Sequence, residues 1–193
     1  ENPKGGDYAR GWGPPFWGDS AAAFHAFNRN KRAITVDLAN EEERARFRRF
    51  VIEQADVLLH NVKAGAMDKL GMGAAGLLAE KPSLLFCNIG AFGNRGPLKD
   101  KPGYDPLMQA FGGLMSMLGE DGRDPVRVSV SIMDMATGMW AAIGILAAIA
   151  ERARTGQGGV IDTSLYETSC GWMTVPLAAY LCSGQMPVRA GSG

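Results

Sequence analysis

The order of strand and helix patterns along these 193 residues predicts an α/β fold with a parallel sheet. Three observations carry that expectation. Short β-branched or apolar runs alternate with helical patterns, Gly- and Pro-rich loops punctuate them, and one long apolar segment is bounded by charge at both ends. Strand, helix, strand, helix, strand is the order that yields parallel strands joined by helical crossovers.

Residues 1–30 are rich in Gly, Pro and aromatics (Trp12, Pro14, Pro15, Phe16, Trp17) and read as a loop, followed by a short helix over Ser20–Asn28. Arg32–Leu38 (RAITVDL) alternates and is β-branched, so it reads as a strand. Asn40 is placed to cap an amphipathic helix over Glu41–Gln54, whose early acids and later bases suit the helix dipole. Val57–Asn61 is a short buried strand, Ala66–Leu70 and Ala74–Glu80 are short helices, and Leu84–Ile89 is a third strand. A breaker-rich loop, AFGNRGPLKDKPG, leads to a helix over Tyr104–Met117 that Gly112 and Gly113 interrupt. Val126–Val130 alternates and reads as a strand. Met135–Arg154 is a long helix with Gly156 placed for its C-terminal cap. Val160–Leu165 is a strand, and the pattern from Tyr166 toward Cys182 is helical to about Pro176.

Composition excludes several classes. Hydrophobic residues make up 46% and charged residues 21%, enough for a core and too apolar for wholesale disorder. Lys+Arg 20 balances Asp+Glu 20, which argues against nucleic-acid binding through a general basic field. Cys87, Cys170 and Cys182 are odd in number and show no ligand spacing, and His25 and His60 are the only histidines, so neither a disulfide framework nor a metal site is expected. The N-terminus ENPKGGDYARGWG has no basic and then apolar leader pattern. A reducing, cytoplasmic setting is the expectation. Residues 135–150 form a run of sixteen uncharged residues, shorter than the ~20 that span a bilayer, so a buried helix and no membrane partner are expected. The sequence starts among loop residues without Met and stops at PVRAGSG without a closing element, which suggests a segment of a longer chain.

Gly71-Met72-Gly73-Ala74-Ala75-Gly76 matches G-x-G-x-x-G literally, but a helical pattern precedes it where a dinucleotide site needs a strand, so it reads as a link between two short helices. No Walker-type phosphate loop or G-x-S-x-G elbow occurs. Asn28-Arg29-Asn30-Lys31-Arg32 is a dense polar cluster that reads first as a solvated turn, with phosphate contact as the alternative. Asp134 stands out: it is the only charge between Arg127 and Glu151, at the start of the apolar helix. Two readings stand side by side. In one, first-turn N–H groups hold a carboxylate nucleophile and a developing oxyanion. In the other, Ser131 and Asp134 form a capping box. Tyr104-Asp105, after Pro102-Gly103, opens a second helix whose polar start suits the same cleft or a cap.

Taken in order, GDYARGW (6–12), FNRNKRAITVDL (27–38), ADVLLHNVKAGAMDKLG (55–71), GAFGNRGPLKDKPGYDPLMQAFGGLMSMLG (90–119) and DMATGMWAAIGILAAIAERARTGQGGVIDTSLYE (134–167) resemble the class III CoA-transferases. That group includes formyl-CoA transferase, bile-acid and carnitine CoA-transferases, and α-methylacyl-CoA racemase. The resemblance implies a Rossmann-like parallel sheet with helical crossovers, with residues 1–193 as part of a large CoA-binding, catalytic domain. A flanking N-terminal unit and a small domain would be missing. It also implies an intertwined homodimer.

By motif position, the resemblance places Asp134 on the catalytic aspartate, with Tyr104 and Asp105 lining the active site. It places Asn61, Val62, Lys69 and Leu70 on CoA contacts, and Val36 and Ala39 on further ones, Ala39 standing where some members carry a basic residue. CoA and acyl-CoA enter as substrate, and no metal is implied. Racemases of the family carry His in a GHD motif where this sequence has Gly103-Tyr104-Asp105, and a phenol is a much poorer neutral-pH base than imidazole. The expected activity is therefore CoA transfer from an acyl-CoA to a carboxylate through an aspartyl anhydride and an aspartyl-CoA thioester. The alternatives are the racemase and a catalytically incompetent CoA-binding fragment.

Overall fold

The structure is a computed structural model that describes residues 1–189 and 191. The chain forms two compact units, Glu1–Gln54 and Ala55–Gly193, and each is described by itself.

The first unit opens with a 3-10 turn, Tyr8–Gly11, capped by the Asp7 side chain. A two-rung antiparallel hairpin follows, β1 (Phe16–Trp17) with β2 (Ser20–Ala21), and then α1 (Ala22–Asn28). The expected helix start at Ser20 is thus displaced by two residues that turn back on Phe16 and Trp17 through Gly18 at φ +60°. His25 Nε2 donates to the Trp17 carbonyl, 3.0 Å away, and its ring packs on the Trp17 and Phe24 rings, which is a structural role. Arg10 grips both Glu1 carboxylate oxygens and lies over the Phe24 ring. α2 (Glu41–Gln54) forms where its pattern places it, and Asn40 Oδ1 accepts from the Glu43 N–H at 3.1 Å as its cap.

The strand expected over Arg32–Leu38 is absent. Its backbone makes a single parallel rung: the Glu1 terminus donates to Ile34 O, and Val36 N–H donates to Glu1 O. One rung leaves the other ladder groups without a partner strand among the described residues, and residues 32–35 are exposed.

The second unit carries the parallel sheet. β3 (Val57–His60), β4 (Leu85–Gly90) and β5 (Gly159–Ser164) pair in the order β3-β4-β5, both pairs parallel. Between β3 and β4 lie α3 (Ala66–Lys69) and α4 (Ala74–Glu80). The Gly71–Gly76 run joins them, with Gly73 as the N-cap residue of α4, so it is the interhelical link expected. Between β4 and β5 lie α5 (Asp105–Phe111), a 3-10 turn Leu114–Met117, and α6 (Ile132–Thr155). α7 (Leu165–Trp172) and α8 (Thr174–Ser183) follow β5.

Met72, Leu77, Leu84, Leu85 and Cys87 are fully buried in this unit. α6 lies against β5 closely enough that a Cβ at Gly144 would sit 2.9 Å from Ile161 Cγ2. At its far end, Arg152 donates to the carbonyls of Asp56 and Ser83, tying the helix to the chain before β3 and β4. Gly156 ends α6 in the left-handed region at φ +72°, as its position predicts.

Two further expectations are corrected. Val126–Val130 is not a strand: it has no ladder partner among the described residues, and a side chain grips it instead. The helical pattern from Tyr166 is two helices with a break at Met173, and Pro176 lies in the first turn of the second, where its missing N–H costs nothing. α6 is also longer than expected, starting at Ile132 rather than Met135. By length and composition it could cross a membrane, and Met139, Trp140, Ile143 and Leu146 on it are exposed in this chain.

Candidate active site

Two helix starts meet in the second unit. Tyr104 is the N-cap residue of α5, in extended backbone with its ring 76% exposed, and Asp105 is the first helical residue. Pro106 follows at a position where no N–H is needed. Asp105 is only 2% exposed. Its Oδ2 accepts from the N–H of Met133 at 2.6 Å and from the N–H of Asp134 at 3.3 Å. Those are the second and third residues of α6, the two amides that an N-cap side chain normally serves.

A carboxylate from 28 residues upstream therefore caps α6. Ser131, the local N-cap residue, makes no side-chain cap bond, so the capping box expected between Ser131 and Asp134 does not form. The charge on Asp105 is why the long-range cap prevails: an ionised acceptor at a helix N-terminus makes stronger bonds than a hydroxyl.

The expectation that first-turn amides hold the Asp134 carboxylate or an oxyanion is corrected by the same bonds. Ile132 N–H donates to Val130 O, Met133 and Asp134 N–H to Asp105, and Met135 N–H to Ser131 O. None of the four is free. The Asp134 side chain is exposed, and its carboxylate has no hydrogen-bond partner among the described residues. Desolvation by the surrounding protein, and then the Asp105 charge, push its pKa above the ordinary 3.8. Partial desolvation and the neighbouring like charge make this carboxylate more basic than an ordinary aspartate, which suits a nucleophile.

Behind this corner lies a core of Met108, Met133 and Leu165, packed by Phe92, Ile132 and Tyr166. Thr137 Oγ1 bonds Met133 O at 2.6 Å and Thr168 Oγ1 at 2.8 Å, locking α6 to α7 one turn after the cap. The loop after β4 is fixed by Tyr166 N–H on Ala91 O and by Asn94 Nδ2 on Asp162 at 2.7 Å.

The residues expected at CoA fall in both units. Asn61 and Val62 are exposed in the loop leaving β3, at the C-terminal end of a parallel strand, where open α/β sheets bind ligands. Lys69 is exposed at the end of α3, and Leu70 is half-buried beside it. In the first unit, Val36 is half-buried on the rung with Glu1, and Ala39 is exposed with its N–H on Asp37 Oδ1.

Sequence reasoning missed a polar row across the sheet. His60, Asn88 and Asp162 are register partners on β3, β4 and β5, and Asn88 Nδ2 donates to Asp162 Oδ1 at 3.2 Å. Burial holds the His60 pKa below its ordinary value against the opposing pull of Asp162 and Asp68. It also missed Gln109, fully buried and bonded to Asp105. The signal for Gln109 was present, because Asp and Gln four apart share a helix face.

With that geometry in place, the comparisons with known proteins are consistent from end to end. The chain matches CoA-transferase family III over residues 1–193, and it belongs to that family. It is 38% identical to the succinate–glutarate CoA-transferase of Agrobacterium fabrum over 198 residues, covering 100% of this chain and 49% of the relative. It is 35% identical to the acetyl-CoA:oxalate CoA-transferase of Acetobacter aceti over 193 residues, again covering 100% and 49%. Among solved structures, a CaiB/BaiF family protein from Brucella suis superposes with a TM-score of 0.92 at 43% identity, over 98% of this chain and 50% of that one. The chain thus spans about half the length of the relatives it matches.

Proposed function

We propose that the full-length protein transfers CoA from an acyl-CoA to a free carboxylate, with Asp134 as the nucleophile. The observation that carries this is the exposed Asp134 carboxylate, its backbone held by Asp105 and its pKa pushed up. Membership in CoA-transferase family III supports it.

In this reading an Asp134 oxygen attacks the thioester carbonyl of the donor and CoA leaves as the thiolate, giving a mixed anhydride. The thiolate attacks the aspartyl carbonyl, which frees the donor's carboxylate and leaves an aspartyl-CoA thioester. The acceptor carboxylate attacks that thioester and releases the thiolate. The thiolate then attacks the acceptor carbonyl of the second anhydride, giving the new acyl-CoA and regenerating Asp134. Each exchange conserves the energy of the thioester, and one hard transfer becomes several easier covalent steps. The first-turn amides of α6 are occupied, so oxyanion donors come from other groups.

The names of the two relatives, with succinate and glutarate in one and oxalate in the other, favour a dicarboxylate acceptor. Asn61, Val62, Lys69 and Leu70, and in the first unit Val36 and Ala39, are the proposed CoA contacts, with the Lys69 ammonium suited to a phosphate. Residues 1–193 are proposed as part of a large domain with flanking segments at both sides. The exposed apolar side chains of α6 and α8 suit burial in an intertwined homodimer. A cytoplasmic setting is part of the same proposal.

The test is a donor–acceptor screen on the full-length protein with succinyl-CoA or acetyl-CoA and a series of dicarboxylates, combined with hydroxylamine trapping. Transfer with a hydroxamate on Asp134 is expected. CoA binding without transfer or hydroxamate would leave a binding protein only.

A further inference from the structure

The Asp105 carboxylate is itself held. Gln109 Nε2 donates to Asp105 Oδ1 at 2.5 Å and to Val128 O at 3.2 Å, while Gln109 Oε1 accepts from the Val128 N–H at 2.8 Å. Gln109 has no exposed surface. One side chain thus joins three pieces: α5, where it sits one turn after Asp105; the segment 126–130, which runs into α6; and, through Asp105, the first turn of α6.

The chemistry of the position fits only an amide. Donors are needed toward Asp105 and Val128 O, and an acceptor toward Val128 N–H. A carboxylate of the same shape supplies the acceptor but lacks the donors unless protonated. An apolar side chain strands Asp105 Oδ1 and both Val128 backbone groups, each at the full cost of a lost buried partner.

We propose that Gln109 is a positioning residue for the nucleophile: by fixing the Asp105 carboxylate and the Val128 backbone together, it sets where the first turn of α6 presents Asp134. This rests on the reading of Asp134 as the nucleophile. Gln109 touches no reacting atom and acts only through Asp105 and the entry to α6.

The test uses Gln109→Met and Gln109→Glu in the full-length protein, with a donor–acceptor pair that the unaltered protein turns over. In Gln109→Met, the kcat for transfer should fall about tenfold or more, with KM for acyl-CoA nearly unchanged, because orientation and not binding is lost. Without any substrate, the Met133 and Asp134 amides should lose hydrogen-exchange protection relative to the Thr137 amide one turn on. In Gln109→Glu, the carboxyl serves Asp105 only when protonated, so transfer should decline as pH rises over a range where the unaltered protein is level. The Gln109→Glu protein at acid pH also serves if Gln109→Met does not fold. Unmoved kcat, or unmoved Met133 protection in a folded variant, overturns the proposal, as does a loss in Gln109→Glu that ignores pH. If the unaltered protein transfers no CoA to any acceptor, it is the transfer reading that fails.

Discussion

Asp105 accepts the backbone N–H of Asp134 at 3.3 Å, so one acid fixes the main chain of the other while their like charges oppose. The pairing combines precision of placement with a raised proton affinity at the residue proposed to react.

Removing that cap should be costly. Asp105→Ala leaves the buried Met133 N–H without an acceptor, and unfolding in urea should show a loss of about 2 kcal/mol. Asp105→Asn keeps the shape and removes the charge. Its pH–rate profile should have its acid limb moved to lower pH, because Asp134 then ionises without a neighbouring anion. A limb that moves up or stays in place would contradict the arrangement.

Asp134→Asn should lower transfer by at least about a hundredfold, near 3 kcal/mol in the barrier, while CoA still binds. Its stability should respond in the opposite sense. The folded state holds the Asp134 proton more tightly than the unfolded chain, so this group's contribution to stability is greatest below the unfolded value and falls as pH rises through the raised folded value. At pH 7, therefore, Asp134→Asn should melt no lower than the unaltered protein, and any advantage should vanish below pH about 4. Thermal melts across pH measure this directly.

Tyr104 bears on which of the two proposed chemistries operates. Transfer needs no proton removal at the acyl α-carbon, whereas racemisation exchanges it. In deuterated water, a 2-methylacyl-CoA should pass its CoA to a carboxylate without gaining α-deuterium by mass spectrometry. Tyr104→Phe should reduce transfer by on the order of 1 kcal/mol, the size of one lost hydrogen bond. Rapid α-deuteration without transfer would reverse the assignment.

Gly158 offers a control away from the chemistry. It precedes β5 with its N–H on Pro82 O at 2.7 Å, and a Cβ there would sit 2.0 Å from the Leu84 carbonyl oxygen. Backbone must move to accept it. Gly158→Ala should lower stability by about 2 kcal/mol or more, with the residual folded protein keeping the KM for acyl-CoA. Chemical denaturation checks the first part and kinetics the second.

Beyond the parallel sheet that the element order announced, what the sequence disclosed was local. α2 and α4 lie where their patterns put them, because apolar spacing, joined in α2 by the adjacent Asn40 cap, determines a helix without help from afar. The alternation at 32–38 was equally plain, but a strand also needs a partner, and among the described residues only Glu1 pairs with its backbone. At α6, Ser131 offered a capping pattern that a buried carboxylate, 28 residues before the Met133 amide it accepts from, overrode. Val128 reads as strand, yet a glutamine side chain takes both of its backbone groups. In each case spacing showed which groups wanted partners, and the fold decided which partners came.

The parallel pairing of β4 with β5 has a kinetic side. Asp105, Gln109, Val128 and Asp134 all lie in the crossover between Gly90 and Gly159. Parallel strands joined by so long a connection pay the entropy of loop closure before their contacts reward it, which makes such pairing slow. The corner that holds Asp134 is assembled from within that same connection. Protection of the Met133 amide should accordingly rise together with that of Cys87 and Ile161 in the sheet, so a chain that has formed only its early helices has not yet placed the carboxylate proposed to react.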